Sequence, residues 1–249
     1  MTKYIIPNLR NACRVLTLLS EQRAGLPLAD IARRLEIPRT TALRIATTLT
    51  AEGIVEQVGR RYVLGPMLIQ LGTRAMENLD LRTIAIPVLR ELSRETQETA
   101  HLAVPAGDKA LLLEVCDSPL PVRVASRPGT LADIHCSATG KVFLAFRHDD
   151  LAEFLEGKEL IRRTENTRTT VEQQQEEAER TRERGYAVDN EEYSLGVRCL
   201  AAPVYDSFGK VVAAIGITAS TSSFSKRLIP AVARSVTTAA SSISKTLGA

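Results

Sequence analysis

Arg39, Thr40, Thr41 and Arg44 fall within six consecutive positions, and Arg60 and Arg61 follow soon after. Arginine can grip guanine through two parallel hydrogen bonds, and threonine can bond a base edge or touch a thymine methyl, so this set suits the reading of double-stranded DNA. A second set holds the residue types of nucleophilic chemistry: cysteines at 13, 116, 136 and 199, with His101, His135 and Asp189. Arg123 and Arg127 could clamp a carboxylate between them. No two cysteines are spaced for a zinc site or a secreted disulfide framework, and the adjacent pair His135 and Cys136 supplies too few ligands for a metal. With no nucleophile elbow or phosphate loop either, no catalytic residue, metal or cofactor is expected.

The elements that must position the first set follow from the spacing of apolar residues. Leu28, Ile31, Ala32 and Leu35 lie at i, i+3, i+4 and i+7, which predicts a two-turn helix after Pro27. Glu36 and Ile37 make a tight break, and Pro38 opens a second helix at a position where its missing N–H costs nothing. That helix buries Ala42, Ile45, Ala46 and Leu49, turns its arginines and threonines outward at its N-terminal end, and can stop at Gly53. Ile54, Val55 and Val58 then lead through Gly59, Arg60 and Arg61 to Tyr62, Val63 and Leu64, a hairpin with a basic turn placed to meet phosphates. An earlier helix through Leu9, Cys13, Leu16 and Leu19 completes a three-helix core. The order is that of a winged helix-turn-helix. Charge agrees: residues 1–75 hold 11 Lys and Arg against 5 Asp and Glu, a net +6, whereas the remainder holds 21 against 24, a net −3.

With 249 residues, 44% of them hydrophobic, the chain has room for two domains. No apolar run reaches the roughly 20 residues of a membrane span, and the N-terminus lacks a signal-peptide core, so a cytoplasmic protein without membrane contact is expected. After Pro66, the residues Leu68, Ile69, Leu71, Gly72 and Ala75 outline a linker helix whose apolar face needs a partner, most simply a second copy. From residue 80 helices and hairpins alternate. A helix runs from Leu81 to Thr96, with Pro87 tolerable only in a first turn or at a kink. Hairpins turn at Gly107–Asp108 and Asp206–Gly209, a loop at Cys136–Gly140 enters a helix, Gly185 ends a charged helix, and a last helix spans about 228–247. The expected architecture is α+β: a winged helix-turn-helix at 1–65, a linker helix at 66–79, and an effector-binding domain with a largely antiparallel sheet at 80–249.

Six blocks, in order, carry a family resemblance: LADIARRLEIPRTTALRI, TLTAEGIVE, YVLGPMLIQLG, ETAHLAV, HCSATGKVFLA and GYAVDNEEYSLGVRCLAAPVYDSFGKVVAAIGIT. Together they resemble the isocitrate lyase regulator (IclR) type of bacterial transcription factors across nearly the whole chain. The resemblance implies a winged-helix reader of an operator, a linker helix and a GAF-like effector domain, assembled as a homodimer or dimer of dimers. It implies effectors that are small organic acids and control of a catabolic operon. It also implies a pocket at Ala138, Thr139 and Gly140, at Asp189 and Cys199, and at Gly216 and Thr218. A helix N-terminus at 138–140 would suit a ligand carboxylate. Gly216 stands where some relatives carry serine and is expected to remove a donor and enlarge the pocket. Two other readings compete: an enzyme with Cys199 as nucleophile, His101 or His135 as base and Asp189 as orienter, and a DNA-binding protein whose second domain holds no effector.

Overall fold

The computed structural model describes residues 4–22, 24–77 and 80–249, without the side chains of 73, 75–77 and 80, and the chain divides into two compact units, 1–79 and 80–249. The first unit runs α1 (Pro7–Ser20), β1 (Leu26–Pro27), α2 (Leu28–Arg34), α3 (Arg39–Ala51), β2 (Val55–Val58), β3 (Arg61–Leu64) and α4 (Met67–Glu77). Val15, Leu19, Ile31, Ile45, Leu49 and Tyr62 are central to its core. In α1 the inward face is Ala12, Val15, Leu16 and Leu19. Leu9, 60% exposed, and Cys13 point outward, so the core stripe lies one residue round the helix from the expected one. Both stripes are apolar in the sequence, and only packing selects the one holding Val15.

Helices α2 and α3 end the same way. Beyond α2, the N–H of Glu36 bonds Arg33 O and that of Ile37 bonds Ala32 O; beyond α3, Gly53 bonds Thr50 O and Ile54 bonds Leu49 O. This is the paired closure in which the residue after the cap turns left-handed. Gly53 does so at φ +69°, but at the first site the residue is Glu36, at φ 55°, where a Cβ crowds the backbone. Ile37 and Ile54 then fold back onto the core. In the small sheet β3 is central, paired to β1 and β2, and Gly59–Arg60 form the two-residue turn of the hairpin.

The second unit comprises α5 (Asp80–Thr96), β4 (Thr99–Ala106), β5 (Lys109–Cys116), β6 (Leu131–Asp133), α6 (Ala138–Arg147), α7 (Leu151–Leu155), α8 (Val171–Arg184), β7 (Ala187–Asn190), β8 (Val197–Tyr205), β9 (Val211–Ser220) and α9 (Ile229–Thr246). Its sheet is antiparallel throughout, in the order β6-β5-β4-β9-β8-β7. Helices α5 and α9 pack together on the sheet, while α6 packs with α8 over β7, β8 and β9. Pro87 sits in the interior of α5, not in its first turn. A mid-helix proline costs about 3 kcal/mol. Leu81, Ala85, Leu89 and Leu92, all buried along one face, offset it, since each leucine returns about 1.5–3 kcal/mol on burial.

The left-handed Glu36 yields a test. Glu36→Gly should stabilise the first unit by about 0.5–1 kcal/mol, read from hydrogen exchange of the α2 and α3 amides. Slower exchange is expected in the variant; unchanged or faster exchange would show that the glutamate is not strained there.

Candidate functional site

In the first unit, α3 presents Arg39, Thr40 and Arg44 to solvent, whereas Thr41 is half-buried in a groove shared with Asn8, Leu9 and Ala12 of α1. Its N-terminus follows Pro38 without a side-chain cap, which leaves first-turn N–H groups available to an anion. Arg60 occupies the hairpin turn and is exposed. Arg61 differs from expectation. It opens β3, and its Nη1 donates to Gly25 O at 2.8 Å, bracing the hairpin against the residues before β1. Leu43 and Thr47, which the sequence reading passed over, are exposed on the face of α3 that carries Thr40 and Arg44.

In the second unit a cavity of about 380 Å³ lies over the sheet at the start of α6. Asp189 of β7 pairs in register with Cys199 of β8, which pairs with Thr218 of β9, so these three line the cavity from adjacent strands. Ala138 and Thr139, the first residues of α6, line it too. Ser137 caps the helix: its Oγ accepts from Gly140 N at 3.1 Å and donates to Asp133 O at 2.7 Å. The N–H groups of Ala138 and Thr139 are left outside the helix's own ladder.

Gly140 and Gly216 do not line the cavity. A Cβ at Gly140 would stand 2.5 Å from Ile134 Cα, so this residue lets α6 lie against the backbone before it. At Gly216 a Cβ would meet Leu200 O at 2.3 Å and Ala201 Cβ at 2.9 Å. The absent side chain therefore holds β8 and β9 together and does not enlarge the pocket. His101, which only the competing enzyme reading sets beside Cys199 and Asp189, lines the cavity, as do Tyr193 and the Val124–Ser126 stretch, for which the sequence carries no signal of their own. His101 faces Gly216 across the β4–β9 pair, a placement only the sheet order reveals. Arg127 lines the cavity while exposed to solvent, but Arg123 does not, being paired with Asp117 at 2.9 Å.

Asp189 is the electrostatic centre of the site. It is 1% exposed, and its Oδ1 accepts from Glu192 N at 2.7 Å and Tyr193 N at 3.2 Å, while its Oδ2 has no partner among the described residues. Burial pushes its carboxyl up to about 7, against the pull of the Lys141 ammonium. Lys141, 2% exposed, donates to Val188 O at 2.8 Å and to Glu192, with Glu177 at 3.6 Å. His101, buried and pushed down to about 4, is a neutral imidazole at pH 7, with its Nδ1 3.4 Å from Thr218 Oγ1.

This arrangement does not activate a nucleophile. Burial, and then the Asp189 carboxyl beside it, push the Cys199 thiol well up, whereas nucleophilic cysteines need it pulled down, and its Sγ lies 3.4 Å from Thr218 Oγ1. His135 is turned to Ile161 O at 3.0 Å, and burial pushes Cys136 up to about 12. Among the described residues no group of three potential ligands could hold a metal ion. What the cavity offers is an anion cradle at α6 and an unpaired acceptor at Asp189.

Comparison with known families decides what holds these two sites together. The IclR helix-turn-helix domain matches residues 9–59, and the bacterial transcriptional regulator IclR C-terminal domain matches residues 73–245. The chain belongs to the IclR family. Curated IclR relatives include the HTH-type transcriptional regulator KdgR of Escherichia coli, 37% identical over 94% of this chain and 90% of that protein. Another is the glycerol operon regulatory protein of Streptomyces coelicolor, 34% identical over 98% of this chain and 97% of that one. Among solved structures, an IclR transcriptional regulator from Alicyclobacillus acidocaldarius superposes with a TM-score of 0.84 at 30% identity, covering 99% of this chain and 100% of that one. The protein is thus a DNA-binding transcriptional regulator of the IclR family with an effector domain, not an enzyme, and works in the cytoplasm.

The raised Asp189 carboxyl makes stability depend on pH. Between about 4 and 7 the folded state keeps a proton that the unfolded chain has released, so this group's contribution falls as pH rises through that window. Asp189→Asn keeps the turn to Glu192 and Tyr193 without a titrating group. Urea unfolding of the second unit should show the variant gaining on the wild type by about 1 kcal/mol per pH unit across the window. A constant difference would mean that Asp189 titrates normally.

Proposed function

We propose that residues 80–249 sense a small hydroxylated carboxylic acid and that this controls operator binding by residues 1–65, with the linker helix at 66–79 joining two copies. The observation that carries the effector reading is the coexistence in one cavity of uncapped N–H groups at Ala138 and Thr139 with the unpartnered Oδ2 of Asp189. The first favours a carboxylate, and the second needs a donor, which a ligand hydroxyl supplies. Arg127 adds a cation for the same anion, and Cys199, Thr218 and His101 supply polar and polarisable wall. A volume of about 380 Å³ suits a small ligand. One relative is named for an operon it regulates, which supports control of a catabolic operon. The reading with an empty second domain leaves the Asp189 oxygen, buried and unpaired, without a purpose.

The linker reading is supported by α4, where Ile69 is 73% exposed and Met67 and Leu71 are also exposed; the side chain of Ala75 lies outside the described residues. A twofold pair built on that face presents two copies of α3.

Calorimetry with the full chain tests the effector. A hydroxy acid found by thermal-shift screening should bind Asp189→Asn at least about tenfold more weakly, because the ligand hydroxyl then meets a donor. Wild-type affinity should fall as pH drops below about 7, since only the ionised Asp189 accepts fully. Unchanged affinity together with a flat pH profile would place the hydroxyl elsewhere.

DNA binding is tested separately. Arg44→Ala should cost about 1–3 kcal/mol on the cognate operator and relax base preference, whereas Arg60→Ala should weaken all sequences alike and flatten the salt dependence. Footprints should show a near-palindrome with half-sites about 34–36 Å, or a multiple, apart. Equal losses on specific and random DNA for Arg44→Ala would remove it from the base-reading set.

A further inference from the structure

The face of α3 that meets DNA carries one residue that neither the core nor the arginines account for. Leu43 is 47% exposed in the middle of the helix and takes no part in the core of the first unit, to which Leu28, Ile37 and Ile54 all contribute. A single exposed leucine is unremarked on most surfaces. Here its neighbours give it meaning. Thr40, Leu43, Arg44 and Thr47 stand at i, i+3, i+4 and i+7 and share one side of α3, all of them exposed. They span about 10 Å of helix, or roughly three base-pair steps. The helix RTTALRIATTLTA carries two arginines and no carboxylate, so nothing on it repels the duplex.

A side chain in that position loses its water when the helix enters the major groove, and what it then touches is limited. Base edges there present donors and acceptors, each of which is left unpaired against a leucine. The one apolar group they present is the C5 methyl of thymine. We propose that Leu43 is a specificity-determining residue that packs on a thymine methyl, within one or two base pairs of the guanine gripped by Arg44. Arg44 supplies hydrogen-bond readout and Leu43 supplies methyl readout, so the pair distinguishes a thymine from a cytosine that would satisfy neither its shape nor its apolar surface. The inference rests on α3 being the helix laid in the groove.

The test uses the full chain and an operator selected from random duplexes. Each thymine is replaced singly by uracil, which removes the methyl and keeps the hydrogen-bonding edge. In each half-site one replacement should weaken wild-type binding roughly fourfold, the value for returning one methyl-sized group to water. Leu43→Ala should bind the thymine operator more weakly by a similar factor and be indifferent to that same replacement. Leu43→Met, which keeps apolar reach, should remain sensitive to it. Circular dichroism of both variants checks the fold. The proposal is overturned if the wild type has no sensitive thymine, or if sensitivity persists unchanged in Leu43→Ala at every position. Arg44→Ala separates the two levels of failure: lost base preference there confines the error to Leu43, and retained preference removes Arg44 from the base-reading set and with it the guanine beside which Leu43 is placed.

Discussion

The buried ammonium of Lys141 is the constraint on which the second unit depends. It projects from the first turn of α6 with almost no access to water, and a charge so placed must be paired and hydrogen-bonded. Glu192 therefore folds back from the loop after β7, and that return brings Glu192 N onto Asp189 Oδ1. Glu177 of α8 joins the same cluster with Arg168 and Arg184; burial alone would raise its carboxyl, but these cations and Lys141 hold it below the usual carboxylate range. One side chain thus ties the capped end of α6, the length of α8 and the loop beside the cavity. Removing either partner of such a pair costs about 3–5 kcal/mol, so the cavity wall is held by an interaction outside the cavity.

The reading head was legible almost to the residue, because its signals are local. Ala42, Ile45, Ala46 and Leu49 are spaced by the helical period and all face the core, and Glu36 and Gly53 mark the turns that close α2 and α3. Legibility faded where two answers had equal local support, as in α1, whose stripes through Leu9 and Val15 differ only in what packs against them. It failed for short edge strands. The three residues of β6 and four of β7 are too few to display a period of two, and their identity comes from the neighbours they pair with.

In the cavity, the motif-borne residues Ala138, Thr139, Asp189, Cys199 and Thr218 come together, although they span 81 positions of sequence. His101 and Tyr193 lie in two of the six blocks without being placed in the pocket by them, and the 124–126 stretch lies in none; their nearness follows from β4 lying beside β9 and from the loop drawn in by Glu192. Arg61 shows what type and position leave out: beside the phosphate contact they suit, one nitrogen of its guanidinium braces the Gly25 carbonyl before β1.

The close approach at Gly216 gives the strands beside the cavity less freedom to change than the loop that rims it. At Gly216, where β8 and β9 run together beside the cavity, adding even one carbon would push against the Leu200 carbonyl, so the spacing of the two strands there is fixed. The opposite rim, from Val124 to Arg127, lies outside the regular strands, and a new side chain there need not disturb the ladder. On the proposed reading, a lineage acquiring a different chemical signal can therefore leave the strands intact and rewrite the rim, which separates what the receptor must be from what it listens for.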